Sequence, residues 1–182
     1  METKPEKNDK IILADVYNEK QLELNYKNEN LNFILNTPPN PKWVKVHPFV
    51  KNYKYLPIDK VEFLLRKIFK RVKIEVLKTG VLFNSIEVSV RVHYFNPIFQ
   101  EWDFYDGVGA CELQTASGTG GVKPDFSNVN KSAVQMALPI AKTIAVKDAC
   151  DHFGNLFGAN LNRKDTLQFS IDENLKQKFF EK

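Results

Sequence analysis

The chain has 182 residues, of which 43% are hydrophobic, and carries a formal net charge of +4 at pH 7. That length and apolar content are enough for one domain with a substantial core, and the 14 Phe, 6 Tyr and 2 Trp exclude a chain that is disordered throughout. No apolar run reaches the ~20 residues of a membrane-spanning helix, and the N-terminal METKPEKNDK lacks the apolar core of a signal peptide. Cys111 and Cys150 fit neither a disulfide framework nor a metal site. We therefore expect a cytoplasmic protein with reduced, structural thiols.

Charge is unevenly distributed along the chain. Residues 40–80 hold eleven lysines and arginines against three acidic residues, whereas residues 81–130 hold two against six. This asymmetry indicates one surface suited to a polyanion and a second surface, of opposite charge, suited to a neighbouring subunit. The simpler alternative is a solvated, lysine-rich helix face, which is the more common cause of such a run.

The N-terminal part of the chain gives no clear secondary-structure pattern. Residues 1–10 are typical of a charged tail, residues 11–36 mix apolar and polar positions, and the proline-rich run at 37–41 is typical of a linker. We therefore divide the chain into an N-terminal extension with a linker, residues 1–40, and a single domain, residues 41–182.

The first clear element is an amphipathic helix that begins at Pro57. Proline is favoured at the start of a helix, and the apolar residues that follow have helical spacing. They are Ile58, Val61, Leu64, Leu65 and Ile68.

Three strands are predicted after this helix. Alternating apolar and polar residues at 72–76 and 87–94 indicate two strands, each with one buried face. A turn at Asn96-Pro97 leads to a third strand, residues 98–109, antiparallel to the second. In the run 101–104, EWDF, alternation predicts that Trp102 and Phe104 face the core while Glu101 and Asp103 face water.

Residues 127–157 predict a long buried helix, because apolar and small residues recur at helical spacing. The predicted buried residues are Val134, Ala137, Leu138, Ala141, Ile144, Ala145, Ala149, Phe153 and Leu156. Pro139 cannot lie unstrained inside a helix, so it predicts either a kink or the end of a short helix near Leu138. Gly154 and Gly158 predict helix ends or close packing.

No motif for catalysis or nucleotide binding is present. The glycine-rich run 118–121, GTGG, lacks the spacing G-x-x-x-x-G-K-[ST] of a phosphate loop and predicts a flexible loop, which argues against an ATP-driven strand-exchange motor. None of the three histidines, His47, His93 and His152, belongs to a metal-ligand motif, and the spacing of Asp148 and His152 is typical of a helix-surface pair. We expect no active site, metal or cofactor, although an enzyme built from scattered residues stays open as a class.

Two blocks of the sequence resemble the single-strand annealing proteins of the Rad-fifty-two type. Residues 131–165, KSAVQMALPIAKTIAVKDACDHFGNLFGANLNRKD, resemble the helix, glycine turn and basic tail of that family, and residues 55–69, YLPIDKVEFLLRKIF, resemble its first core helix. The predicted strands lie between them in the family's order, so the resemblance covers roughly residues 43–169. It implies an α+β, ring-forming core in which an antiparallel sheet of at least three strands packs on a long helix, in the order helix, three strands, helix.

The resemblance also implies a function, namely ATP-independent binding of single-stranded DNA and annealing of complementary strands in homologous recombination and DNA repair. The implied partners are single-stranded DNA, further copies of the chain in a ring or helical filament, and a single-strand binding protein or a recombination nuclease. The chain's size suits the Sak-like branch of phages and mobile elements, and therefore a bacterial or phage-infected cell. The alternative is a single-stranded DNA or RNA binding protein that does not anneal.

The resemblance assigns the DNA-binding residues. Lys60 takes the place of a DNA-backbone-binding arginine in the family's first helix, and Lys164 takes the place of a cation in the basic tail. Arg163 is a supporting contact, and Arg66 and Lys67 are weaker candidates.

A second, outer DNA site of the family lies near the loop and helix start that Lys123 and Lys131 flank. The chain departs from the family at Asp148 and Asp151, which stand where the family's long helix has basic residues.

Overall fold

The computed structural model describes residues 17–48, 50–116, 127–166 and 169–170. In these ranges the chain is an α+β protein with antiparallel sheets, so the α+β class is confirmed, whereas the ring-forming core stays a prediction. The elements in chain order are α1 (Glu19–Leu35), β1 (Lys45–Val46), β2 (Lys54–Tyr55), α2 (Ile58–Phe69), β3 (Val72–Leu82), β4 (Ser85–Asn96), β5 (Glu101–Glu112), α3 (Ala133–Asp151) and a 3-10 helix (Asn155–Phe157). The predicted tail at 1–10, the glycine-rich run 118–121 and Lys123 lie outside the described residues.

Helix α1 was not predicted from the sequence. It begins at a capping box, in which the Asn18 side chain accepts from the Gln21 backbone N–H and the Gln21 side chain accepts from the Asn18 backbone N–H, both at 3.0 Å. Its buried residues are Leu22 and Leu35, too few to form an apolar stripe. Leu35 joins the main core, so the end of α1 packs with the domain although it lies before residue 40.

Helix α2 follows Pro57 as predicted. Its buried residues are Val61, Leu64, Leu65 and Phe69, and Ile58 and Ile68 pack partly buried against the same core. Asp59 in the first turn and the cations in the last turn complement the helix dipole. The predicted amphipathic helix is therefore confirmed.

The main sheet is an antiparallel meander, β3-β4-β5, with a bulge in β3 between Val76 and Lys78. Its inner face is formed by alternate residues of β4, namely Ile86, Val88, Val90, Val92 and Tyr94, and all five are buried. The predicted alternation in the second strand is confirmed, and all three strands are found. Strands β3 and β4 extend further than predicted, whereas β5 begins at Glu101 rather than at residue 98 and ends at Glu112. Helices α2 and α3 pack on this inner face. The short strands β1 and β2 form a separate antiparallel hairpin.

The predicted orientation of β5 is wrong. Trp102 and Phe104 are about half exposed on the outer face, whereas Gly107 and Gly109 are buried against α3. A Cβ atom on Gly107 would overlap the Ala145 carbonyl oxygen, and a Cβ atom on Gly109 would overlap that of Ala141. The inner side of β5 lies against the backbone of a helix, so it requires residues without side chains there. In β5, the short distance between the strand and the α3 backbone, rather than hydrophobicity, decides which residues face the core.

Helix α3 is continuous through Pro139, so a break near Leu138 is excluded. Its buried face has an alanine at every fourth position together with two larger residues, in the order Ala133, Ala137, Ala141, Ala145, Val146, Ala149 and Cys150. The predicted burial of Val134, Leu138 and Ile144 is wrong, because these side chains are 40–53% exposed. Since α3 approaches β5 closely, alanines occupy the contact face and larger apolar side chains lie on the opposite one.

The chain turns sharply after α3. Phe153 is buried in a cluster of aromatic rings, with ring centres at 4.7–5.0 Å from those of Phe69, Tyr94, Tyr105 and Phe157. Gly154 has φ = 119° and Gly158 has φ = 111°, values that L side chains rarely adopt. A Cβ atom on Gly154 would also lie 2.8 Å from Asn36 Oδ1. The predicted helix end is confirmed for Gly158, which ends the 3-10 helix, and the predicted close packing is confirmed for Gly154.

Candidate nucleic-acid interface

An open groove of about 890 Å³ lies between α3, the β1–β2 hairpin and the segment that follows the 3-10 helix. Three cationic residues from different elements line it: Lys54 of β2, Lys147 of α3 and Arg163 of the tail. A second depression of about 580 Å³ shares Lys54 and Arg163 with it and adds Lys51. Because the two depressions share these walls, we treat them together as the basic groove.

The position of the tail in the basic groove is fixed by Asn162. Its side-chain Oδ1 accepts from the Lys54 backbone N–H, and its Nδ2 donates to the Lys54 carbonyl oxygen, both at 2.8 Å. This side chain therefore pairs with β2 much as a neighbouring strand would. Arg163, the next residue, is held beside Lys54 as a result.

Lys147 is held over the Tyr55 ring, with Nζ at 4.8 Å from the ring centre. Its partial burial lowers the pKa of its ammonium group below the usual value, and Asp151 partly opposes that effect. Lys147 thus contributes a cation at the floor of the basic groove whose position is set by an aromatic ring.

Two carboxylates, Asp148 and Asp151, also line the basic groove, and they have different neighbours. Asp148 Oδ2 accepts from the Val108 backbone N–H at 3.0 Å, so it ties the free edge of β5 to α3. Partial burial, with Asp148 nearby, raises the pKa of Asp151 to about 6, against the effects of Lys147, His152 and Arg163. The predicted pairing of Asp148 with His152 is not what the structure shows, because His152 stacks on Tyr105 with ring centres 5.2 Å apart.

The predicted DNA-binding residues of α2 lie apart from the basic groove. Lys60 Nζ is 2.9 Å from Asp59 Oδ2 and 5.9 Å from the centre of the Trp43 ring. The hydrogen bond from Lys60 lowers the pKa of the Asp59 carboxyl below its usual value. Lys60 does not line either depression of the groove.

The other two cations of α2 are exposed and held by neighbours on their own helix. Arg66 pairs with Glu62 at 2.9 Å, and Lys67 Nζ lies 5.5 Å from the centre of the Phe63 ring. An exposed pair at this spacing contributes little to stability, so both cations can exchange their neighbours for a phosphate.

The remaining predicted residues are at two other places. Lys164 follows Arg163 and is exposed, and Lys131 is exposed just before α3 begins. Of the predicted residues that the structure describes, only Arg163 lines the basic groove; Lys164 follows it in the chain, and the α2 cations and Lys131 lie elsewhere.

Sequence reasoning missed Lys54, Lys147 and Asn162 as parts of one site. Lys54 lies within the basic run of residues 40–80, but no motif distinguishes it from the ten other lysines and arginines of that run. Lys147 and Asn162 are far from it along the chain, and only the fold brings the three together. A useful signal was the position of Asn162 directly before Arg163, because asparagine often bonds to backbone at turns.

The part of the chain that the structure describes holds no group of three or more His, Cys, Asp or Glu side chains placed to bind a metal ion. Within the same residues, no helix is long and apolar enough to cross a membrane. Cys111 and Cys150 are free thiols, as predicted, and burial raises the pKa of each. Comparison of the sequence with models of known families and with curated proteins finds no match. The resemblance to annealing proteins therefore stays a prediction.

Proposed function

We propose that the chain binds the phosphates of single-stranded DNA in the basic groove and anneals complementary strands without a nucleotide cofactor. The observation that carries this proposal is the convergence of Lys54, Lys147 and Arg163, from three separate elements, on one open groove. Cations spaced along a groove hold a phosphate backbone without reading bases. A strand held in this way keeps its Watson–Crick edges free to meet a second strand, which is what annealing requires.

The electrostatics of the basic groove support an anionic ligand. Its cations, including Lys51 of the second depression, outnumber its two carboxylates. Asp148 is already engaged by a backbone N–H, and the raised pKa of Asp151 brings its protonation near neutral pH. Binding of a phosphate beside Asp151 would favour its protonation further, so this carboxyl would oppose the strand less than an ordinary carboxylate does.

Assembly into a ring or helical filament is part of the same proposal. Strands β3 and β5 are the edges of the three-stranded sheet, and exposed edges favour pairing with another chain. Two sets of exposed apolar side chains could bury against a neighbouring copy. On α3 they are Val134, Met136 and Leu138, and at the β3–β4 tip they are Val81, Leu82 and Phe83.

The resemblance of residues 55–69 and 131–165 to annealing proteins supplies the biological setting of the proposal. It is homologous recombination and DNA repair in the cytoplasm of a bacterial or phage-infected cell, with a single-strand binding protein or a recombination nuclease as partner. The roles of Lys60, Arg66, Lys67 and Lys131 in DNA binding belong to this proposal as well. A single-strand binder without annealing activity would use the same groove, and an annealing assay separates the two.

The test is fluorescence anisotropy with a labelled oligo-dT strand at low salt. Lys54→Ala and Arg163→Ala should each weaken binding on every sequence tested, since phosphate contacts carry no sequence information. Lys20→Ala is the matched control, because Lys20 is an exposed lysine of α1 outside the groove. Equal losses in the control and in the groove variants, or a loss confined to certain sequences, would contradict phosphate binding in the basic groove.

A further inference from the structure

The outer face of the three-stranded sheet carries exposed aromatic side chains that the basic groove does not use. Trp102 is 48% exposed and Phe104 is 45% exposed, although both are regularly paired with β4 near the beginning of β5. Residues i and i+2 of a strand point to the same face about 7 Å apart. The two rings therefore form a flat apolar strip along β5, on the side opposite to α2 and α3.

Cations hold these rings in place. The Arg71 guanidinium carbon lies 4.9 Å from the centre of the Phe95 ring and 5.1 Å from that of Trp102. The Arg91 guanidinium carbon lies 3.9 Å from the centre of the Phe104 ring. Phe95 also packs edge-on against Trp102, with ring centres 5.8 Å apart. This arrangement orders the rings before any ligand arrives, which reduces the entropy lost on binding.

Two carboxylates of this face, Asp106 and Glu75, are paired with a cation or with histidine. Arg91 binds Asp106 through two hydrogen bonds of 2.7 Å, and Glu75 Oε2 lies 2.8 Å from His93 Nε2 and 3.7 Å from Lys73 Nζ. These partners hold the pKa of both carboxyls below their usual range. With these two acids paired, Arg71 supplies a cation at the aromatic end of the sheet.

We propose that this aromatic end, formed by Arg71, Phe95, Trp102 and Phe104, stacks successive bases of a single nucleic-acid strand. A base needs a flat π-surface and its phosphate needs a cation, and this end of the sheet supplies both. Stacking uses the faces of the bases and leaves their Watson–Crick edges free, so it is compatible with annealing. The proposal shares single-strand binding with the proposed function but rests on different residues on the opposite side of the sheet from α3.

The first experiment uses Trp102 as its own reporter. The chain has 2 Trp, so Trp43→Phe leaves Trp102 as the sole tryptophan. Its emission should be quenched on titration with oligo-dT and should not change with an abasic deoxyribose-phosphate strand of the same length. Quenching by both strands, or by neither, would overturn base stacking at this site. Oligo-U in a parallel titration shows whether the strip accepts RNA as well as DNA.

The second experiment measures affinity by anisotropy. Trp102→Ala combined with Phe104→Ala should weaken oligo-dT binding by about 5- to 160-fold, the range for losing one stacked base, and should leave abasic-strand binding unchanged. Phe33→Ala is the matched control, because Phe33 on α1 is also 45% exposed, and it should bind like the parent protein. Trp102→Phe, which keeps a π-surface, should recover most of the affinity. Unchanged oligo-dT binding in the double variant would overturn the proposal.

The two proposals fail in different ways. Lys54→Ala and Arg163→Ala should weaken both strands equally, whereas the aromatic double variant should weaken only the strand with bases. If only the groove variants lose binding, the stacking proposal fails and the proposed function stands. If light scattering shows that the double variant loses mass while its DNA affinity per subunit is unchanged, the strip contacts a second copy and the stacking proposal is wrong.

Discussion

The close packing of α3 on β5 predicts that Gly107→Ala is strongly destabilising. The added Cβ atom would overlap the Ala145 carbonyl oxygen and the Ala149 backbone nitrogen, and would lie 2.8 Å from the Ala149 Cβ atom. Two of these neighbours are backbone atoms of a regular helix, so no side-chain rotation relieves the contact. The helix must move away by roughly 1 Å to restore ordinary separations.

The cost of moving the helix determines how much the substitution lowers the free energy of unfolding. Overpacking a core costs about 1–3 kcal/mol, and contact with helix backbone places Gly107→Ala near the upper value of about 3 kcal/mol. For a chain of this length each kcal/mol lowers Tm by about 2–4 °C, so we expect a loss of about 6–12 °C. Circular dichroism melting at a fixed protein concentration measures it, since assembly makes Tm depend on concentration.

Gly80→Ala is the control for this prediction. Gly80 lies in β3 with nothing within 4 Å of an added Cβ atom. The substitution should leave stability unchanged or raise it by about 0.4–1 kcal/mol, because alanine restricts the unfolded chain. If Gly107→Ala and Gly80→Ala melt at similar temperatures, α3 does not approach β5 as closely as the structure has it.

Three further predictions concern the buried ring of Phe153, the carboxyl group of Asp151 and the two lysines that the resemblance assigns to phosphate binding. Phe153→Ala removes a buried ring and should cost about 3–5 kcal/mol, measured by denaturant unfolding; a cost below about 1 kcal/mol would contradict its burial. The folded pKa of Asp151, about 6, exceeds its ordinary value of 3.8, so the group's contribution to stability falls as pH rises from 4 to 6. Asp151→Asn should therefore raise Tm at pH 7.5, with the gain disappearing towards pH 4, and a constant gain at every pH would refute this cause. Lys60→Ala and Lys164→Ala should each reduce the slope of log affinity against log salt by about 0.7, without lowering Tm; a lower Tm with unchanged affinity would make either residue a packing element.

Elements whose pattern is set by the burial of large apolar side chains could be predicted from the sequence. The stripe of α2 and the alternation of β4 both reflect such burial, and both were found where expected. Helix α1 could not be predicted in this way, since Leu22 and Leu35 are its buried residues and a capping box fixes its start. Local hydrogen bonding rather than periodicity determines that helix.

The inner faces of β5 and α3 were predicted wrongly for one shared reason. Hydrophobic periodicity assigns the larger side chains to the core, but here glycines at 107 and 109 meet the backbone of α3. The larger apolar residues, such as Trp102 and Ile144, are left on the opposite faces. An alanine at every fourth position of α3 and the G-x-G spacing of β5 were visible signals of this packing.

The candidate site was only partly accessible from the sequence. Arg163 and Lys164 were identified through the resemblance of the tail to annealing proteins. The contribution of Lys54 and Lys147 depends on a hairpin and a helix that are distant in sequence, and the Asn162 side chain ties the tail with Arg163 to that hairpin. Such a convergence of distant cations leaves no local pattern to detect.

Annealing in the absence of nucleotide tests the central claim most directly. Two complementary strands carrying a donor and an acceptor fluorophore report annealing by energy transfer, with the parent protein, Lys20→Ala, and Lys54→Ala combined with Arg163→Ala. We predict that the parent and the control accelerate annealing without ATP, and that the double variant loses this acceleration while keeping its Tm. Annealing that requires ATP, no acceleration by the parent protein, or full activity in the double variant would contradict the account.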